Sequence, residues 1–398
     1  MDESSFAAQL NRESEAWVAE GIVSAEQAAA IRSRYADVRV GRRASATTAL
    51  SVIGGVAVGV GVIAFVAANW DGMSHGARLA LLTLTVAGAY GGGYHFRDRA
   101  ATAPRVGEAL YLLGVLAFGA SIFLVGQMYN VQAHDPLGLL LWAAGATATA
   151  LVVRSRALAT TAVLVFTAWV GFEFGLALDD AGGDTFAAFP VVALLYGGSL
   201  YALATVAQER IREPWFATSG FAEAGRRIGL PIAALGLFVF TFAEAAEELG
   251  HAGDDLEGGV LTAFVALAAV AFLAAGALGV LQRRSALAEA GLLGVAVAAT
   301  LLCSLAGGDG NAWAVLFNVL FAALAIGIVY AGYLSDEAWL VNLGVVLVAV
   351  DLVGRYFDVF WSALPRSLGL IGGGLVVLGI AYALERQRKR LLQRMAES

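Results

Sequence analysis

Cysteine and lysine are nearly missing from this chain, which holds one of each, Cys303 and Lys389. A lone thiol inside an apolar run builds neither a disulfide framework nor a thiolate metal site, so Cys303 reads as a small apolar filler. Charge of either sign is scarce as well: charged residues make up 14% of the sequence, where a water-soluble domain carries about 25%. A net charge of -7, with no basic face outside short loops, argues against a nucleic-acid partner. No Gly-rich phosphate loop, nucleophile elbow, kinase-like set or HExxH helix is present. No catalytic residue, cofactor or metal is therefore assigned, and an enzyme is the less favoured class. A basic leader is lacking too. MDESSFAAQL is acidic and the first long apolar run starts near Ala46, so the first span is expected to serve as an uncleaved insertion signal. No Gly follows Met1 and no terminal lipidation Cys is present.

What fills the chain instead is apolar. Such residues make up 59%, before 48 glycines are counted, and a water-soluble globule could not cover that much apolar surface. Crossing a bilayer takes about 20 mostly apolar residues. Twelve runs qualify, near 49–68, 77–95, 106–126, 136–153, 157–178, 187–207, 228–247, 259–281, 286–306, 312–333, 338–357 and 366–384. They are continuous rather than alternating, so helices are expected. The fold class that follows is all-α: a polytopic transmembrane bundle of about 12 spans over 46–385, between a small cytoplasmic helical hairpin at 1–45 and a basic tail at 386–398.

Loop charge gives the direction. With the N-terminus in the cytoplasm and twelve crossings, 22 of the 25 basic residues fall on the cytoplasmic side. Only Arg78, Arg355 and Arg366 are left for the other. This asymmetry predicts a bacterial inner-membrane protein with both termini inside. The loop YLSDEAW (333–339) carries no basic residue, so spans ten and eleven forming one re-entrant hairpin is an open alternative. Trp70, Trp313 and Trp361 fall at outer ends and Trp339 at an inner end, where amphipathic rings prefer to lie. ERIREPWFATSGFAEAGRR, between the sixth and seventh spans, reads as a helix or turn on the inner surface. Gly55 with Gly59, the triplets Gly91–Gly93 and Gly372–Gly374, and other glycines inside spans imply close helix packing; a broken helix lining a path is the sharper reading. EALYLLGV (108–115) and EAGLLGV (289–295) are too alike in common membrane residues to carry more than a weak hint of duplication.

Before the spans, WVAEGIVSAEQAAAIRSRY reads as a helical hairpin. The first helix runs from about Ser5 to Glu20 with Phe6, Leu10 and Trp17 on one stripe, and Gly21 suits its left-handed end. Ser24 and Gln27 form a capping box for the second helix, whose stripe is Ala28, Ile31 and Tyr35. A hairpin this small is expected to dock, with RVGRRAS holding it to anionic lipid headgroups. It is also the natural place for a cytoplasmic protein partner; the oligomeric state is not legible. Trp17, Gly21, Ile22, Ser24, Glu26, Gln27, Ile31 and Tyr35, with GEALYLLGVLAFGASIFLVGQMYNV (107–131) and LLLWAAGATATALVVRSRAL (139–158), resemble a bacterial membrane family known as domain of unknown function 2157. The likeness covers roughly the first 160 residues. It implies a multi-span protein with a cytoplasmic N-terminal helical segment, and no activity.

Acids inside spans need a reason, since a charge at mid-bilayer costs at least about 2.5 kcal/mol. Glu108 and Glu289 lie near cytoplasmic ends and read as interfacial, and Glu247 near an outer end as wet. Glu173, Glu244 and Asp351 all fall in the outer third of the membrane, as does Asn318, and Asp351 lies four before Arg355, a spacing that permits an ion pair. Gln127, with Tyr129 and Asn130, follows the third span on the same side, as a capped outer turn or as part of one lining. The candidate polar cavity is thus Glu173, Glu244, Asn318, Asp351, Arg355 and Gln127, open to the outside; the alternative is that each group is satisfied locally. His75, His134, Asp135, His251, Asp254 and Asp255 share that side without ligand spacing, so solvated loop residues are expected rather than a metal site. A small-solute transporter or permeation protein suits span number and buried acids best. The alternatives are a membrane scaffold or sensor with a partner-binding hairpin, and a membrane-embedded enzyme acting on a lipid or envelope precursor.

Overall fold

The structure is a computed structural model that describes residues 13–14, 17–34, 68–130, 136–181, 185–211, 213–251, 286–306, 309–360 and five positions between 372 and 382. Every regular element among the described residues is helical. The chain forms two compact units, Met1–Leu81 and Leu82–Ser398.

In the first unit the hairpin turn forms as its residues dictate. Gly21 takes φ +72°, and the Ile22 amide donates to the Trp17 carbonyl at 2.9 Å, closing the first helix. The Ser24 amide donates to Gln27 Oε1 at 2.9 Å while the Gln27 amide donates to Ser24 Oγ at 3.1 Å, the reciprocal capping box. Helix α1 (Ala25–Arg34) follows, with Ala28 fully buried. The expected contributions of Phe6, Leu10 and Tyr35 lie outside the described residues. Further on, Arg78 folds back over the Trp70 ring at 5.0 Å and donates to the Trp70 carbonyl at 2.9 Å. It does so from the start of α2 (His75–Gly93).

The second unit is a helical bundle. Its elements are α3 (Pro104–Met128), α4 (Leu137–Val153), α5 (Arg156–Ala181), α6 (Thr185–Arg210), the single turn α7 (Pro214–Ala217), α8 (Phe221–Val239), α9 (Ala243–His251), α10 (Ala286–Ala306), α11 (Gly310–Leu334) and α12 (Ala338–Phe360). Among the described residues five stretches are long and apolar enough to cross a membrane: Pro104–Met128, Arg156–Leu176, Ala188–Gln208, Gly310–Leu334 and Ala338–Tyr356. Of these Ala188–Gln208 is central, 78% buried against 22–33% for the others. Leu137–Val153 and Leu293–Cys303 are shorter apolar helices. The runs at 49–68 and 259–281, with Gly55 and Gly59, lie outside the described residues, as does most of 366–384. The described positions of that last run are helical.

Two expectations change, and one alternative loses support. The run at 228–247 is two helices, α8 and α9, parted by a turn at Phe240–Phe242. Its first helix begins earlier than the apolar run does. Gly220 at φ +85° turns the chain after α7, so Phe221–Arg227, expected on the inner surface, is the opening of α8. And α11 and α12 are separate helices of 25 and 23 residues joined at Ser335–Glu337. At about 1.5 Å per residue each is longer than the roughly 30 Å hydrocarbon core. That length gives no support to one shared re-entrant hairpin.

Glycine explains the closest approaches. A Cβ on Gly236 would stand 2.6 Å from the Leu194 nitrogen, and one on Gly229 2.7 Å from the Tyr201 nitrogen, so α8 lies backbone to backbone on α6. In the Gly91–Gly93 triplet, Gly93 receives the Tyr111 ring while Gly91 faces open space. α2 runs through the triplet unbroken. Two apolar cores result. One is built around Tyr111, Val115, Ala146 and Leu158 on α3, α4 and α5, and the larger around Leu194, Leu237, Phe317 and Leu324 on α6, α8 and α11.

Candidate functional site

Nothing in LGLFVFTFAEAAEEL announces a break, for it holds no proline and its one glycine, Gly236, lies inside α8 before the turn. The cause lies in the side chains. The Thr241 hydroxyl donates to the Phe238 carbonyl at 2.6 Å and its amide donates to the same oxygen at 3.0 Å. Threonine here competes for a carbonyl that the helix ladder would use, and closes α8. The ring of Phe240 is buried and packs on Phe317 at 5.4 Å, which fixes the turn from inside.

A helix end inside an apolar bundle leaves carbonyls to satisfy. Asn318 of α11 donates to the Thr241 carbonyl at 2.8 Å and to its own Ala314 carbonyl at 2.7 Å. Arg355 of α12 donates to the Thr241 hydroxyl and lies over the Phe242 ring at 4.4 Å. Its other contacts are carboxylates: Asp358 at 3.0 Å and Asp351 at 3.7 Å. The Asp351 separation is too long for a hydrogen bond. Asp351 Oδ1 and Arg355 Nε are both buried and neither has a hydrogen-bond partner. The site therefore holds opposite charges, one pair of atoms without hydrogen bonds, and a backbone opened by a helix break. Such a place can take a proton or a small polar group at little structural cost.

Asn318, Asp351 and Arg355 are thus brought together, through Thr241. Glu244, in the first turn of α9, is exposed beside the break. Glu173 on α5 and Gln127 at the end of α3 are exposed, and among the described residues no side-chain hydrogen bond or ion pair joins them to the cluster. Of the other acids, Glu108 accepts from the Ser155 hydroxyl, and the Glu247 backbone lies against Gly310. The side chain of Glu289 lies outside the described residues, as do His134, Asp135, Asp254 and Asp255. His75 opens α2 and His251 closes α9. Thr241, Phe242 and Asp358 were not singled out from the sequence. Asp358 alone carried a signal, three residues after Arg355 on the same face.

A second polar cluster joins α6, α8 and the α11–α12 turn. Arg226, 7% exposed, donates from both terminal nitrogens to Glu337, at 2.9 and 3.0 Å. It also donates to Gln208 at 3.2 Å. Its guanidinium lies 5.8 Å from the Tyr201 ring and 5.6 Å from the Trp339 ring. The Trp339 indole donates to Glu337 at 2.8 Å. Arg227 lies over the same Trp339 ring at 5.8 Å and pairs with Glu223, which also takes Arg156 at 3.2 Å. The loop without a basic residue is here supplied with one by α8.

Among the described residues every regular element is helical and five stretches have membrane-crossing length and composition, the build of a polytopic membrane protein. Residues 15–159 match the family described as "Predicted membrane protein (DUF2157)", the family and the region that the resemblance named. No curated protein and no solved structure matches the chain.

Proposed function

We propose that this chain moves a small polar or charged solute across the bacterial cytoplasmic membrane. The observation that carries the reading is the break at Phe240–Phe242, where Thr241 meets Arg355 and Asn318 beside an Asp351 oxygen without a hydrogen bond. Discontinuous helices with polar groups at the break are the usual build of substrate and ion sites in secondary transporters. A buried acid in a span is expensive and by default functional. Asp351 is the proton or ion carrier in this reading, Arg355 tunes it, and Glu244 faces the entrance from the next helix.

Purified protein in proteoliposomes with an internal pH dye, challenged with panels of amino acids, sugars and organic acids, tests this directly. At least one solute should drive proton flux, and Asp351→Asn should lower that flux by about tenfold or more, the share of a single essential ionisable group. Folded protein that moves neither protons nor any solute of the panel would end the proposal.

The orientation is a second element, with twelve crossings and both termini in the cytoplasm. Contacts within the second unit support the alternation. Arg97 donates to the Val153 carbonyl, Ser155 to Glu108, Arg156 pairs with Glu223, and Arg226 with Glu337. Each joins loops or helix ends that the charge bias puts on one side. Single cysteines in a Cys303→Ser background check it. Glu213→Cys should react with an impermeant maleimide only in inside-out vesicles, and Ala312→Cys only in intact cells. The reverse pattern would invert the protein.

A further inference from the structure

The break at Phe240–Phe242 divides the packing as well as the helix. Before it, α8 is joined to α6 by the glycine contacts already described. After it, α9 is joined to α11, for a Cβ on Gly310 would stand 2.8 Å from the Ala243 oxygen. The Cys303 thiol of α10 donates to the Ala246 carbonyl of α9 at 3.8 Å. A Cβ on Gly332 of α11 would stand 2.7 Å from the Val341 nitrogen of α12. Two bodies result, α6 with α8 and α9 with α11 and α12, while α10 packs on both, on α6 as well as on α9 and α11. Between them lie side-chain contacts: Phe238 with Phe321 and Phe240 with Phe317, each at 5.4 Å, in the middle. Thr241 with Asn318 and Arg355 ties one end, and Arg226 with Glu337 ties the other. Backbone-to-backbone glycine contacts hold a pair of helices rigidly, whereas aromatic contacts can slide and re-form.

We propose that Phe240–Phe242 is a hinge and that Arg226–Glu337 is the latch at the far end of α8, so that the two bodies part there and open the aromatic middle of the bundle. The inference rests on the transport reading. The partners at the latch are arranged for parting. Arg226 keeps Gln208 and the Tyr201 ring, both on its own body. Glu337 keeps the Trp339 indole, on its own. Parting of the bodies lets water reach Arg226 as the pair separates, and Glu337 already reaches solvent, with 28% of its side chain exposed. Glu337 also lies in the turn that ends α11, far along the helix from Asn318, where a rotation about the break gives the largest displacement.

The test uses Leu230→Cys in a Cys303→Ser background. Leu230 is fully buried and lies one turn beyond Arg226 on the same face of α8. With the latch intact, an impermeant maleimide applied to inside-out vesicles should label it slowly. Glu337→Gln should raise the labelling rate about tenfold, the weight of one charge-assisted hydrogen bond. Arg226→Gln should do the same, and the exchange Arg226→Glu with Glu337→Arg should restore protection. Where Glu337→Gln fails to elute as folded protein, Arg226→Gln is read in its place. An unchanged rate in the folded variants would overturn the latch. Proton flux separates the two ideas. Faster labelling with no solute-driven flux in the parent protein keeps the hinge and removes transport, and solute-driven flux with unchanged labelling does the opposite.

Discussion

Gly229→Ala should remove most of the folded protein, while the same substitution at Gly91 should leave its amount unchanged or raise it. The two positions are glycines inside apolar helices, and neither has a positive φ. They differ in what a methyl group would meet. At Gly229 it would stand 2.6 Å from the Gly197 oxygen and 2.7 Å from the Tyr201 nitrogen, both backbone atoms that no rotamer change can move. α6 and α8 would have to separate along their length, with Leu194, Tyr201, Leu230 and Leu237 losing their contacts together. Overpacking against yielding side chains costs about 1–3 kcal/mol. Against two backbones, at least about 3 kcal/mol is expected, a large part of any domain's stability. At Gly91 nothing lies within 4 Å, so alanine gains about 0.8–1 kcal/mol of helix propensity at no steric cost. Fluorescence-detected size exclusion of tagged variants after a heat step measures both signs. Equal behaviour of the two variants would mean that α6 and α8 are not packed as described.

Much of this packing was legible in outline. Hydropathy placed α3, α4, α5, α6, α11 and α12 within a few residues of their observed ends, because a span of helix in hydrocarbon satisfies its backbone alone and shows its length in composition. The capping box was legible because both its bonds are local. The Asp351–Arg355 pair was legible for the same reason, although Asp358 makes the shorter contact. Long-range partners were not. Thr241 joins Asn318 and Arg355 across 77 and 114 positions, and an apolar run with one threonine carries no mark of ending. Arg226 looked like a loop residue because arginine rarely enters a buried helix face. Only the bidentate Glu337, 111 positions away, and two aromatic rings allow it there. Glu173 and Gln127 show the converse limit: a similar expected depth along the spans does not put residues on one face of the bundle.

The burial of Arg226 leads to an asymmetry between the two ends of its ion pair. Glu337→Ala should destabilise the protein by about 3–5 kcal/mol, the cost of leaving a buried charge uncompensated. Arg226→Met, which keeps a long side chain between Tyr201 and Trp339, should cost far less. The reason is exposure: the Arg226 side chain is 8% exposed and that of Glu337 28%, so a stranded glutamate reaches water and a stranded arginine does not. Gln208 supplies one acceptor to the arginine and cannot neutralise it. It follows that Arg226→Met should rescue Glu337→Ala, the double variant unfolding close to Arg226→Met alone rather than at the sum of two losses. Thermal unfolding in detergent, followed by tryptophan fluorescence at several salt concentrations, gives the four values of the cycle. Salt should change them little, since a buried pair is poorly screened. Additive losses, or a Glu337→Ala variant within about 1 kcal/mol of the parent, would place Arg226 in water.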